Sequence, residues 1–321
     1  MAAPARVRAP VAELVEQARA GSPRAVARLI TLVEDAATEL REVARLTAPL
    51  AGRARVVGLT GSPGVGKSTM TNALVSAYRA RGVRVAVIAV DPSSPFSGGA
   101  LLGDRVRMQD HASDVGVFIR SMATRGHLGG LATAVPQAIR VLDAAGFGVV
   151  LVETVGVGQS EVEVAAHADT TLVLLAPGMG DGIQAAKAGL LAVADVFVVN
   201  KADRDGADAT ARGIRQMASL SDGGPGDWRR PVEQTVATRG EGIAAVLAAI
   251  DGHHAWLVGS GRLAGRRAAR ASDEVEAIAV AELRGRIGSP GGGVGLGALA
   301  AEVAAGRLDP YAAADRLLAD L

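Results

Sequence analysis

The sequence predicts an α/β chain: a mostly parallel central sheet flanked by helices, with N-terminal helices before it and a C-terminal helical arm after it. Three observations carry this. From Val56 to about Asp251 short apolar runs alternate with helical segments, the rhythm of βαβ units. The first run, Val56–Thr60, leads into a glycine-rich turn and then directly into a helical pattern. The polar clusters that follow the apolar runs each lie just past a strand's carboxyl end, the edge where open α/β sheets bind ligands.

Composition narrows the class. The chain has 321 residues, enough for one large α/β core and a smaller second unit. Net charge is +1, and the 34 Lys and Arg are spread along the chain, so no pull on nucleic acid or an anionic membrane is implied. The absence of cysteine excludes disulfides, thiolate metal sites and cysteine nucleophiles, and suits a reducing cytosol. Aromatic residues are only 2%, so the core must be Val, Leu, Ile and Ala. The N-terminus, Met1-Ala-Ala-Pro-Ala-Arg-Val-Arg8, does not read as a signal peptide. No uncharged apolar run reaches the ~18 residues of a membrane span. The expectation is a soluble cytoplasmic protein.

The elements follow in order. Residues 1–50 form an N-terminal helical segment of two or three amphipathic helices, expected to pack beside the sheet. Ser22-Pro23 reads as an N-cap with proline at the first helical position. Ala51-Gly52-Arg53 is the hinge into a domain spanning 51–251. After the first helix, Met70–Tyr78, come strands at Arg84–Val90, Val115–Arg120, Val149–Glu153, Thr171–Ala176 and Asp195–Val199, with a seventh at Pro231–Val236. Gly129–Ala145 reads as a helix despite Pro136. Residues 252–321 lack the sheet pattern. Arg262–Ile287 reads as one long helix, a glycine-rich linker occupies 288–297, and short helices follow at Leu299–Ala305 and Pro310–Leu318. This region is expected to make a subunit contact, hence a homodimer.

The turn after the first strand is Gly61-Ser62-Pro63-Gly64-Val65-Gly66-Lys67-Ser68-Thr69. Strand, glycine loop ending in Gly-Lys-Ser, helix is the P-loop arrangement of nucleotide-binding proteins. Phosphate oxygens need several backbone N–H donors converging on one point, and Gly61, Gly64 and Gly66 permit the tight, partly left-handed path. The helix N-terminus favours the anion. Lys67 is placed to neutralise the terminal phosphates and the Ser68 hydroxyl to bind Mg²⁺.

Asn200-Lys201-Ala202-Asp203, at the end of the sixth strand, specifies the base. The Asp203 carboxylate can accept from the N1–H and N2–H of guanine, a donor pair adenine lacks. A polar mismatch of this kind discriminates by ~10⁴–10⁵. Asn200 braces the loops, the Lys201 stem lies along the base, and Ala237-Thr238-Arg239 adds backbone contacts. The same tetrapeptide also suits an ordinary surface turn; its place after a parallel strand and downstream of a P-loop favours the base reader. Mg²⁺ needs oxygen ligands, few of them from protein. Ser68 is one, and Asp91, Asp104 and Glu153 are the acidic candidates, each of which could instead cap a helix or pair with an arginine. Glu153 ends an apolar strand, the Walker-B position. Glycines 156 and 158 suit a loop that re-forms when the γ-phosphate leaves. The loop Gly178–Lys187 reads as a third switch that a docked partner would order, bringing Asp181 or Lys187 to the phosphates. Arg105, Arg107 and Arg125 lie in or near glycine-rich loops, with no arginine fixed as a finger in cis, so intrinsic hydrolysis is expected to be slow. The five histidines (111, 127, 167, 253, 254) show no metal-ligand spacing. His253-His254 reads as a helix-end pair, and Trp228 and Trp256 as packing residues.

With these residues in place the chain resembles the MeaB/ArgK family of P-loop GTPases, relatives of the nickel-insertion and signal-recognition-particle GTPases. The resemblance rests on Gly61–Thr69, Asp91-Pro-Ser-Ser-Pro95, Gly103-Asp-Arg-Val-Arg-Met108, Glu153-Thr-Val-Gly-Val-Gly-Gln-Ser-Glu161 and Asn200–Asp203. It continues with Arg266-Arg267-Ala-Ala-Arg270 and Ala305-Gly-Arg-Leu-Asp-Pro-Tyr311, and so covers nearly the whole chain. It implies a homodimeric GTPase that cycles between GTP and GDP with Mg²⁺. It also implies a chaperone role, protecting and reloading adenosylcobalamin-dependent methylmalonyl-CoA mutase. Two other readings are weighed beside it. A metallochaperone GTPase for another metalloenzyme would need Cys/His ligands, and none are so arranged. The older family label of a kinase linked to amino-acid transport would need a phosphoryl-acceptor site, which nothing here supplies.

Overall fold

The computed structural model describes residues 9–92, 111, 113–124, 130–154, 166–178, 193–221, 224, 226–287 and 295–319. Seven parallel strands form one sheet: β1 Arg55–Thr60, β2 Val85–Pro92, β3 Val117–Thr124, β4 Val149–Thr154, β5 Thr170–Leu175, β6 Val196–Asn200 and β7 Val232–Thr235. Their spatial order is β3-β2-β4-β1-β5-β6-β7, so β1 is central and the chain moves off to either side of it. The crevices flanking β1 at its carboxyl end are therefore the topological switch points of the sheet.

The described helices are α1 Val11–Arg19, α2 Pro23–Glu34, α3 Leu40–Thr47, α4 Lys67–Ala80, α5 Gly130–Ala144, α6 Ala207–Ser221, α7 Ile243–Gly259, α8 Arg262–Ile287, α9 Leu296–Ala304 and α10 Pro310–Ala319. The N-cap expected at Ser22 is present: its hydroxyl accepts from the Ala25 N–H at 3.4 Å, with Pro23 opening α2. Pro136 is accommodated inside α5.

Strand residues alternate between two cores. Val56, Ile88, Val150 and Val152 face a cluster shared with α1, α2 and α5, whereas Val57, Val87, Val149 and Leu151 face α4 and α7. Burial on both faces explains why the strands read as unbroken apolar runs. A third cluster joins Val173, Phe197 and Val199 to Ala211 and Ile214 of α6. The strong amphipathicity of α2 is used in full, with Leu29 and Ile30 essentially inaccessible in the first core.

The chain divides into two compact units, residues 1–268 and 269–321. The division falls beyond the boundary expected at 251/252, because α7 runs on to Gly259 and buries His253 and Leu257 in the first unit. The N-terminal helices share the sheet's core and lie within this unit. In the second unit Leu299 and Ala313 are buried, while Val275, Ile278, Leu283, Leu296, Tyr311 and Leu318 are exposed. Among the described residues no single helix is long and apolar enough to cross a membrane.

Candidate nucleotide site

The glycine loop sits where β1 turns into α4. Gly66, the residue before the helix, has φ +97°, and a Cβ there would lie 2.4 Å from Asn200 Nδ2. Gly61 has φ +140°, and a Cβ there would meet the Leu174 carbonyl oxygen of β5. Both positions thus require glycine twice over, for backbone angle and for close approach. The 14-residue α4 then starts at Lys67, so its unpaired first-turn N–H groups and its dipole converge on the loop. The Lys67 ammonium is buried and donates to the Gly61 and Ser62 carbonyls at 2.6 and 3.1 Å. It is held inside the loop, where an anion's terminal oxygens would gather. Ser62 is half-buried, Pro63 and Gly64 are exposed, and Val65 anchors the loop in the core; Thr69 is half-buried on α4.

Glu153, near the end of β4, is brought next to this helix. The β1–β4 register sets Leu59 opposite Glu153, which carries the carboxylate to the first turn of α4. Glu153 is buried and accepts from the Ser68 hydroxyl at 2.6 Å and the Thr71 hydroxyl at 2.8 Å. Ser68 and Thr71 are three apart and so share one helix face. Thr71 went unnoticed in the sequence, although its spacing from Ser68 was a usable signal. Asp91 lies near the end of β2, adjacent to β4, two residues beyond the Ala89 that pairs with Glu153. Asp104, Arg105, Arg107, Arg125, glycines 156 and 158, Asp181 and Lys187 fall outside the described residues. An all-oxygen set of a serine hydroxyl and buried carboxylate suits a hard divalent cation such as Mg²⁺.

The far side of the site is organised by Asn200. Its Nδ2 donates to the Val65 carbonyl at 2.9 Å, and its Oδ1 accepts from the Thr235 hydroxyl and the Ala237 N–H, each at 3.1 Å. One buried amide thus ties the glycine loop, β6 and the turn after β7 together. Lys201 adopts φ +58° and its ammonium donates to the Gly64 carbonyl at 2.6 Å, so its stem crosses between the two loops. Asp203 remains about half exposed, with the Arg239 guanidinium 3.7 Å away and itself paired to Glu241 at 2.9 Å. Ala237–Arg239 is a single 3₁₀ turn, Ala237 buried and Thr238 exposed. The Asn-Lys-Ala-Asp segment therefore borders the glycine loop on an exposed side, where the long 3.7 Å contact to Arg239 leaves the Asp203 carboxylate lone pairs for further donors.

The opposite edge of the sheet corrects the reading of His253. It is no helix-end residue: it lies mid-way along α7, fully buried, with Nδ1 2.9 Å from the Thr170 hydroxyl and its ring beside Trp228 and Trp256. Burial pushes its pKa down to about 4, against the pull of Asp195. Two arginines of the Arg266–Arg270 motif, to which the sequence assigned no contact, complete this cluster. Arg266 grips Asp195 at 2.9 and 3.1 Å, and Arg267 grips the buried Asp169 at 2.8 and 3.2 Å. The hydrogen bonds it donates to Asp169 hold the Arg267 guanidinium above its ordinary pKa, against desolvation. These residues position the start of α8, and among the described residues their partners are Asp169, Asp195, Gly52 and Ala54, none of them in the candidate nucleotide site.

The chain's likenesses agree with this geometry. The family profile described as methylmalonyl Co-A mutase-associated GTPase MeaB matches residues 26–289. A relative from Pyrococcus abyssi is 47% identical over 311 residues, 96% of either chain. GTPase ArgK of Escherichia coli is 39% identical over 265 residues, 79% of either chain. The crystal structure of an LAO/AO transport system kinase superposes with a TM-score of 0.70 at 27% identity over 96% of both chains. The family profile spans the glycine loop, the Ser68–Glu153 contact and the Asn200–Asp203 segment alike, and this chain is a GTP-hydrolysing member of the MeaB family.

Proposed function

We propose that this GTPase acts as a chaperone of adenosylcobalamin-dependent methylmalonyl-CoA mutase, coupling GTP turnover to protection and reloading of that enzyme. The observation that carries the reading is the family match over residues 26–289, under a description that names association with the mutase. In this reading the loop amides of Gly61–Thr69, the α4 N-terminus and Lys67 hold the phosphates, and Lys67 offsets charge developing during transfer. Asn200 keeps the two loops in register, Lys201 flanks the base, and Asp203 accepts the guanine donors, with Ala237–Arg239 closing the pocket. Mg²⁺, when bound, supplies charge neutralisation at the phosphates and is held by Ser68 with Glu153, Asp91 and Asp104, mostly through water. The buried Ser68–Glu153 pair supports that assignment.

Lys187 and Asp181 are assigned to a switch that the docked mutase orders, and intrinsic hydrolysis is expected to be slow until it does. The protein is taken to work in the cytoplasm as a homodimer. The exposed apolar side chains of the second unit support the dimer, since a 26-residue helix with no buried residue leaves its face open to a partner. Light scattering of a chain ending after Ala268 tests it: a truncated dimer places the contact on the first unit.

GTP hydrolysis measured with and without the cognate methylmalonyl-CoA mutase tests the reading. Acceleration by the mutase, lost in Lys187→Ala with Asp181→Ala, is the expected result. No acceleration overturns the chaperone role, and unchanged acceleration in the double variant overturns the switch.

A further inference from the structure

A cavity of about 340 Å³ opens at the amino-terminal edge of the sheet, below the starts of β1, β2 and β4. It is lined by Arg19, Arg53 and Arg84 together with Asp143, Leu50 and Phe147. Six strand residues at ~3.3 Å each separate this edge from the nucleotide site, so the two are distinct. The volume falls within the ~300–1,000 Å³ range of small-molecule sites.

The charges in it are unbalanced. The lone carboxylate among the lining residues, Asp143, is already engaged by backbone donors: Gly52 N–H at 2.5 Å, Arg53 N–H at 3.1 Å and Ala54 N–H at 3.0 Å. It is buried and turned toward the chain rather than toward the arginines. Arg84 is half-buried; it donates to the Ala145 carbonyl at 2.8 Å and its guanidinium stands 4.4 Å over the Phe147 ring. Neither contact neutralises it. Burial, and then the nearby Arg79, lower its pKa, as befits a cation lacking a carboxylate. The Arg53 guanidinium has no ion-pair partner among the described residues. Arg19 has one, Glu16 at 3.1 Å, in an exposed pair of small worth. With three guanidiniums and one carboxylate among its lining residues, the cavity carries an excess of positive charge.

We propose that this cavity is a second ligand site, one that binds a small organic anion bearing a phosphate or carboxylate group. The guanidinium forks of Arg53 and Arg84 take the anionic oxygens bidentately, a geometry suited equally to either group. Leu50, Phe147 and Ala144 also line the space, which favours an anion carrying a compact apolar body over a free inorganic ion.

The test is titration calorimetry on the full chain saturated with GDP, so that the P-loop is filled, using phenyl phosphate, benzoate and inorganic phosphate as probes at fixed ionic strength. Phenyl phosphate or benzoate is expected to bind, whichever is tighter naming the anionic group, and inorganic phosphate to bind more weakly than either phenyl phosphate or benzoate. Arg53→Glu, an exposed position, should weaken binding at least tenfold and leave basal GTP hydrolysis unchanged; Arg84→Gln should weaken it similarly. Arg212→Glu, an equal charge change on α6, should leave binding unaltered. Absence of heat for both organic probes, or equal weakening by Arg53→Glu and Arg212→Glu, or no weakening by Arg53→Glu, overturns the site.

Discussion

The bridge formed by Asn200 yields the sharpest energetic prediction. Asn200→Ala removes three hydrogen bonds and leaves the Ala237 N–H and Val65 carbonyl without their partner. At ~0.5–1.5 kcal/mol net for each bond, the loss is about 2–4 kcal/mol. Gly66→Ala acts on the same bridge from the other side. The left-handed φ of +97° costs ~1–2 kcal/mol for a residue with a Cβ. Its new methyl group would sit 2.4 Å from Asn200 Nδ2 and must push that amide off its acceptors. In the double variant the amide is already gone, so its displacement is not counted twice and only the backbone strain remains to be added. The double variant should therefore be more stable than the sum of the single changes by about 1–2 kcal/mol. Guanidinium unfolding followed by circular dichroism, with coincident fluorescence transitions as the two-state check, measures all four corners of the cycle. Additivity within about 0.5 kcal/mol would refute the steric coupling of Gly66 to the asparagine's bridge.

Three further outcomes are expected. Lys67→Ala should lower GTP hydrolysis by about 10²–10³-fold or more, since the developing phosphate charge loses its ammonium, and Glu153→Ala should weaken Mg²⁺ dependence more than GDP binding. Steady-state assays across Mg²⁺ concentrations separate the two, and a wild-type rate in either variant removes that residue from the site. Asp203→Asn should shift preference from guanine toward xanthine nucleotides, whose C2 carbonyl accepts from an amide; calorimetry showing equal GTP and ATP binding by the wild type would refute the role of Asp203. His253 makes stability depend on pH. Its pKa is depressed from 6.5 to about 4, so the unfolded chain binds more protons between these values. The associated stability is fully present above about 6.5 and is lost as pH falls toward 4, by about 3 kcal/mol. Urea midpoints at pH 7 and pH 4.5 should diverge more for the wild type than for His253→Gln, which retains a partner for Thr170; equal pH dependence would place the slope elsewhere.

Much of this protein is local information. The glycine loop is contiguous, and its φ requirements, helix start and lysine are properties of nine successive residues, so motif and chemistry are legible together. Asn200–Asp203 is likewise one short segment at the end of an apolar run. The long helix Arg262–Ile287 and the parallel sheet are written in side-chain periodicity, which needs only near neighbours. Tertiary structure decided which distant groups meet. Several acidic residues end near strand termini, yet only the β1–β4 register carries Glu153 onto Ser68 and Thr71, across 85 and 82 positions of sequence. The insertion of β4 between β1 and β2 has no local signature, because every parallel strand reads as the same apolar run. His253 reads locally as one of a helix-end pair, and only the packing of α7 against β5 and Trp228 buries it. Arg266 and Arg267, two charges in a polar helix, became clamps because the starts of β5 and β6 present buried carboxylates to them. Local dihedral and hydrophobic preferences fix what each segment is; strand order and register, set by burial over the whole chain, fix which side chains become a site.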